Sequence, residues 1–357
     1  MKRFTLRRIL LFALGAAVLV WMVIAADPHV LWQNISAVGW WLLLPVAVWG
    51  AGYLLNAASW AVIIHALGVP SGTRSDGQAW VLPSYGKICQ LTVSGYAVNY
   101  ITPFGLLGGE PYRIWALRPF VGSERAAGSV LLYLMMHVCS HFFFWLFASF
   151  AALAFLNLST SVRWGVCGVA AVMAVLVPLF FRGYRRGMVQ SFFRAVGHLP
   201  LAGKKVSRWA ESHREQWIRI DANITTLLLH HRRAFWMSLG LEFLSRLVNC
   251  GETVILLLLL APESFTSASG LQGPLLASLF IVAFSSLFAN LLFFSPLQMG
   301  TREGGIFLAM QALWPRVAAA ALMPIAVSVS VLTRLREFVW IAVGLLWAFL
   351  ARNRRKQ

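Results

Sequence analysis

The chain has 357 residues, 59% of them hydrophobic and 12% charged, with a formal net charge of +18 and a mean hydropathy of +0.72. That apolar excess excludes a soluble domain and describes an integral membrane protein. The basic residues flank apolar spans instead of gathering on a solvated domain, which argues against a nucleic-acid partner and assigns the charge to membrane topology and anionic lipid headgroups.

The N-terminal MKRFTLRR precedes an apolar run over 9–26. Eighteen residues is long for the core of a signal peptide, so this run is read as an uncleaved first span. Further spans are expected at 40–67, 127–157, 162–181, 234–260, 317–333 and 335–351. Two other segments, 79–104 and 274–299, are apolar but interrupted by polar residues. The expected fold is all-α: a polytopic membrane protein of about seven or eight transmembrane helices plus one or two re-entrant or broken ones. Cys89, Cys139, Cys167 and Cys250 lie inside apolar segments without paired spacing and are read as packing residues.

Loop charge sets the sidedness. The stretch from Arg182 to Arg233 carries eleven Lys or Arg against Glu211, Glu215 and Asp221, whereas Asp27–Gly39 and Ala261–Gly273 carry no Lys or Arg. The first is cytoplasmic by the positive-inside rule and the other two face out, with the N-terminus inside. The loops holding Arg74 and Arg113, Arg118 and Arg125 then both fall inside, so 79–104 enters and leaves on one face. Pro83, Gly86, Lys87, Gly95, Asn99 and Pro103 suit such a broken helix. The alternative is an ordinary span with one loop assigned to the wrong side.

Each interrupted segment leads into a glycine-framed charged break, GGEPYR at Gly108 to Arg113 and GTREGG at Gly300 to Gly305. Charge at membrane depth is costly, and irregular backbone there survives only against protein or a water-filled cavity. Gly108, Gly109, Glu110, Arg113, Gly300, Arg302 and Glu303 are therefore candidate site residues. Glycine opens backbone N–H groups toward a ligand, and an arginine offers a bidentate grip suited to phosphate. The acid has three available roles: holding the arginine, accepting from a headgroup amine or sugar hydroxyl, or taking up a proton.

The repeated layout suggests two pseudo-repeat halves, 1–182 and 234–351, within one membrane domain, joined by a cytoplasmic loop over 183–233 and followed by a basic tail, 352–357. Whether 274–299 crosses or re-enters is left open, and with it the side of the tail. The loop mixes Trp209, Trp217 and isoleucines with Arg and Lys, as in helices lying on an anionic leaflet. A further polar stripe, Glu242, Ser245, Arg246, Asn249 and Glu252, recurs at spacings of three and four and so shares one helical face. It lines a substrate path or forms a structural lock through a Glu242–Arg246 pair. His137 and His141 also share a face, but without an accompanying acidic or cysteine cluster they are assigned to packing or a helix–helix hydrogen bond. No metal or other cofactor is expected. P-loop, G-x-S-x-G and H-E-x-x-H motifs are absent, and no catalytic constellation stands out.

The order of these pieces resembles the lysylphosphatidylglycerol synthase transmembrane-region family, the flippase-like domain of multipeptide resistance proteins and of stand-alone bacterial and archaeal membrane proteins. The first family break, GGE followed by an arginine, maps onto Gly108, Gly109, Glu110 and Arg113. The second, PGGLG followed by Arg-Glu, maps onto Pro296, Gly300, Arg302 and Glu303, with a late arginine at Arg334. This chain departs at Leu297, Gln298 and Met299, which reduces glycine-based flexibility.

The resemblance implies a bacterial inner-membrane protein handling lipids or lipid-linked intermediates between leaflets. The aminoacyl-transferring domain of two-domain members is not found before Gln357, so aminoacyl transfer is not expected. On this reading Arg113 and Arg302 grip an anionic headgroup, Glu110 and Glu303 orient them or couple to protons, and Glu242, Arg246, Asn249, Glu252 and Arg334 complete the path. The rival is a non-transporting accessory subunit of a lipid- or glycan-modifying enzyme, its charges acting as locks. A reporter fused after Gly122 is expected to score cytoplasmic, and a periplasmic score would sink the re-entrant path for 79–104.

Overall fold

The computed structural model of the chain describes residues 20–24, 27–70, 72, 79–101, 108–185, 231–260, 272–292, 298 and 300–353. Most of the first span and of the 183–233 loop, both proline-containing stretches ahead of the breaks, and tail residues 354–357 lie outside them. Described in chain order are helices α1 (Pro28–Val38), α2 (Leu43–Leu67), α3 (Tyr85–Ile101), α4 (Gly109–Val121), α5 (Ser123–Phe155), α6 (Thr160–Arg185), α7 (Arg232–Leu260), α8 (Gln272–Leu291), α9 (Thr301–Leu313) and α10 (Ala319–Asn353). The protein is an all-α polytopic membrane protein. Among the described residues, five segments are long and apolar enough to cross a bilayer: Pro28–Leu67, Ser123–Phe155, Thr160–Gly183, Arg232–Leu260 and Gly273–Leu291.

Local chemistry explains where these helices begin and end. Asp27 caps α1 by accepting from the His29 N–H at 2.9 Å, with Pro28 in the first turn, where its missing donor costs nothing. Gly122 ends α4 with φ 78, a conformation that glycine adopts without strain. The expected spans 317–333 and 335–351 are a single helix, α10, of 35 residues. The Thr333–Glu337 stretch where they meet contains no Gly or Pro, and its charges are neutralised by partners on other helices, so nothing requires a turn there.

The helix α3 has 17 residues, about 25 Å at the usual rise and short of a hydrocarbon core of roughly 30 Å. It packs against the 13-residue α4, just as α8 packs against the 13-residue α9. Each glycine break is thus the start of a short helix laid on the helix before it.

Two compact units divide the chain. One comprises Met1–Gly52, Phe144–Met173 and Ser245–Ala342; the other comprises Tyr53–Phe143, Ala174–Leu244 and Val343–Gln357. The first has a core that includes Leu256, Leu257, Ile281, Met310, Val329 and Leu332. Its helices are also tied by Trp145 Nε1 donating to Ser286 Oγ at 2.9 Å and Ser245 Oγ donating to the Gly52 carbonyl at 3.1 Å. The second is centred on Trp60, Ile64, Leu91, Leu117, Met136 and Phe235.

In the second unit, α3 meets the end of α10 through backbone proximity. Ser94 Oγ donates to the Gly344 carbonyl at 2.9 Å, and a Cβ on Gly344 would come within 2.6 Å of Ala97 Cβ and 2.7 Å of the Val93 oxygen. Backbone cannot yield as a side chain can. Gly344→Leu is expected to lower stability by about 1–3 kcal/mol, read as a lower temperature of aggregation in detergent.

Candidate functional site

The charged residues gather into two clusters, one in each unit. In the second unit Gly109, the first residue of α4, donates its N–H to Asn99 Oδ1 of α3 at 2.5 Å, and Asn99 Nδ2 donates to Glu110 Oε1 at 3.3 Å. A Cβ on Gly109 would overlap the Gly95 carbonyl, and one on Gly95 would overlap the Arg113 guanidinium. The two glycines therefore let α4 settle onto α3 and bring Arg113 across it. Gly108 caps the helix without a side chain of its own.

Arg113 is buried. It donates through Nη1 to Glu110 Oε1 at 3.4 Å and through Nη2 to the Thr92 carbonyl at 3.2 Å. Its guanidinium lies 4.9 Å from the Tyr96 ring centre and 5.4 Å from that of Tyr133, so cation–π attraction supplements one long ion pair. Glu110 Oε2 and Arg113 Nε are buried without a hydrogen-bond partner, polar capacity that a ligand or water can use.

Nearby, Glu242 of α7 is hydrogen-bonded to His137 Nδ1 of α5 at 2.8 Å. The expected helix–helix hydrogen bond of the histidines is therefore present, with His141 edge-on to His137 at 5.4 Å. The imidazole held by Glu242 was not foreseen as its partner.

In the first unit Gly300, at φ 76, starts α9. Its N–H donates to Glu303 Oε2 at 2.8 Å, so the acid caps its own helix. The other oxygen, Oε1, accepts from Ser330 at 2.7 Å and from Arg334 Nε and Nη2 at 3.1 and 2.7 Å. Arg302 Nη1 donates to Glu337 Oε1 at 2.7 Å. Arg336 grips Glu252 with Nε and Nη2 at 2.9 and 2.8 Å, stacks 3.7 Å over Trp49, and approaches Glu337 at 3.8 Å; Trp49 Nε1 also donates to Glu252 at 2.5 Å. Glu252, Glu303 and Glu337 thus stand against Arg302, Arg334 and Arg336, a set whose fixed charges balance.

Exposure separates these arginines. Arg336 is 1% exposed, while Arg302 and Arg334 are 23% and 21% exposed. Gln298 has φ 54, a left-handed conformation that costs a non-glycine residue about 1–2 kcal/mol.

The structure thus brings Glu110 together with Arg113, and Glu303 with Arg334. It splits the polar stripe of α7 between the units: Glu242 joins the second, while Arg246, Asn249 and Glu252 belong to the first. Asn249 packs on Gly52, where a Cβ would overlap it, and the Arg246 carbonyl accepts from Cys250 Sγ at 3.4 Å. Sequence reasoning missed Trp49, Tyr96, Tyr133, Arg336 and Glu337 as site residues. Arg336 and Glu337 carried a usable signal, as charges inside an apolar run. The aromatics carried none, because only the tertiary structure shows which rings face a guanidinium.

The chain matches the model of the family described as the lysylphosphatidylglycerol synthase TM region over residues 8–344, and it belongs to that family. Neither the curated proteins nor the solved structures give a match.

Breaking a buried ion pair strands the other charge, which costs about 3–5 kcal/mol, whereas replacing both partners by apolar groups is often neutral. Arg336→Met alone is expected to remove most folded protein from the membrane, and adding Glu252→Met to restore it, as measured by recovery of monodisperse protein in mild detergent.

Proposed function

We propose that this family member is a lipid flippase-like transporter, moving an anionic phospholipid or lipid-linked intermediate between leaflets of a bacterial inner membrane. The observation that carries the reading is the same local device in both units. A glycine-started helix of 13 residues holds a glutamate in its first turn, and that glutamate holds an arginine inside an otherwise apolar chain. Arginine forks match phosphate oxygens, and helix N-termini favour anions, so each device suits the phosphate of a headgroup. Arg113, Arg302 and Arg334 are the phosphate ligands in this reading, with Glu110 and Glu303 orienting Arg113 and Arg334. Partial exposure of Arg302 and Arg334 supports their reach to a ligand. The family's name supports lipid as the class of substrate.

A second reading is favoured by one observation, the bidentate and fully buried Arg336–Glu252 pair, which has the form of a lock. If all the charges act so, the protein is a non-transporting accessory subunit of a lipid- or glycan-modifying enzyme. Co-purification with a synthase, together with full tolerance of Glu110→Gln and Arg302→Gln, would select that reading.

The purified protein in liposomes is expected to exchange fluorescent phosphatidylglycerol between leaflets faster than empty liposomes. Charge-assisted contacts are worth about 1.5–3 kcal/mol, so Arg113→Gln and Arg334→Gln are each expected to slow exchange by roughly tenfold or more. Rates equal to empty liposomes, for several anionic lipids, would remove the transport reading.

A further inference from the structure

The two clusters differ in one chemical respect. In the first unit's cluster the carboxylates of Glu252, Glu303 and Glu337 are each matched by an arginine, and arginine keeps its proton at any accessible pH. In the second unit Glu110 is matched by Arg113, but the hydrogen-bonding partner of Glu242 is an imidazole. Histidine gains and loses its proton near neutrality. Glu242 is 1% exposed, and its Oε1 accepts no hydrogen bond. A buried carboxylate in hydrogen-bond contact with an imidazole is an arrangement in which one proton can be held between the two partners.

The His137 side chain is 29% exposed and that of Glu242 1%, so the imidazole is the more accessible member of the pair. Its ring is flanked by His141 at 5.4 Å, Tyr96 at 6.4 Å and Tyr133 at 6.4 Å. Among the described residues, the titratable and charged groups around the pair include Tyr53 from α2, beside Tyr96; Tyr96 from α3; Glu110 and Arg113 from α4; and Tyr133 and His141 from α5. Arg246, one turn further along α7, is partly buried and lies near Cys250. Arg113 lies 5.4 Å from the Tyr133 ring centre and the His137 ring 6.4 Å from it, so the pair and the arginine that would meet a headgroup phosphate flank the same tyrosine.

We propose that the Glu242–His137 pair is the proton site that couples lipid movement to a pH gradient, with one proton carried per anionic headgroup. The proposal rests on the transport reading above. Without the proton, Glu242 opposes an anion beside Arg113. With it, the pair is neutral and the phosphate is better held. By linkage, phosphate binding favours protonation to the same degree. The proton is taken from water on one side as the pair goes from net negative to neutral, and it returns to water on the other side as the lipid leaves. Nothing is oxidised, and no bond other than to the proton changes.

The test uses the full chain in liposomes with fluorescent phosphatidylglycerol and a trapped pH dye. Rates with an imposed pH gradient of either sign are expressed relative to each variant's own rate without one. The wild type is expected to move lipid several-fold faster from the acidic to the alkaline side than in reverse, with matching acidification of the receiving side. Glu242→Gln and His137→Gln are each expected to bring that ratio to one. His137 is partly exposed, so its variant remains informative if Glu242→Gln does not fold. Lipid exchange by the wild type that ignores the gradient, or a His137→Gln protein that keeps the directional ratio, overturns the coupling site and leaves the transport reading standing. No exchange by the wild type at all overturns both.

Discussion

A charge within an apolar helical chain must find an opposite charge or a dense set of hydrogen bonds, and the architecture described above follows from that requirement. Glu303 satisfies it most fully. One oxygen closes the first turn of its own helix, and the other takes a serine and an arginine from α10. A single buried side chain therefore sets where α9 starts and which face of α10 it meets. Glu110 does the same work less completely, through Asn99 and Arg113, and leaves an oxygen unused.

Small residues make these pairings sterically available. Gly95 and Gly109 allow α3 and α4 to approach closely enough for Arg113 to lie between Tyr96 and Tyr133. Gly305 comes against Ser285 in the corresponding pair, α8 and α9, where a Cβ would lie 3.0 Å from the Ser285 Cα. Helix contact in membranes draws on packing and interhelical hydrogen bonds more than on hydrophobic gain, so these close approaches matter more than apolar area alone. The breaks are thus positions where backbone proximity and buried charge are solved together.

The charged clusters are not equivalent copies. The first unit holds arginine–glutamate pairs with fixed charge, including the Arg336–Glu252 fork stacked on Trp49. In the second unit a glutamate is matched to an imidazole. A cluster of permanent ions resists change in its surroundings, whereas one containing histidine can change its net charge by one proton.

The sequence alone determined the membrane class, the helical fold, most of the long helices and the two charged breaks. These are properties of local composition: hydropathy over a span, glycine and proline at a break, and charge where charge is costly. It also exposed Glu110 with Arg113, since residues three apart on a helix are neighbours. Tertiary structure alone decided the remaining partners. Glu303 meets Arg334 across 31 positions, Arg336 meets Glu252 across 84, and His137 meets Glu242 across 105. Nothing local encodes such separations, because they depend on which helix faces pack together. For the same reason α10 runs unbroken where two spans were expected to meet: its charges are neutralised by partners distant in sequence.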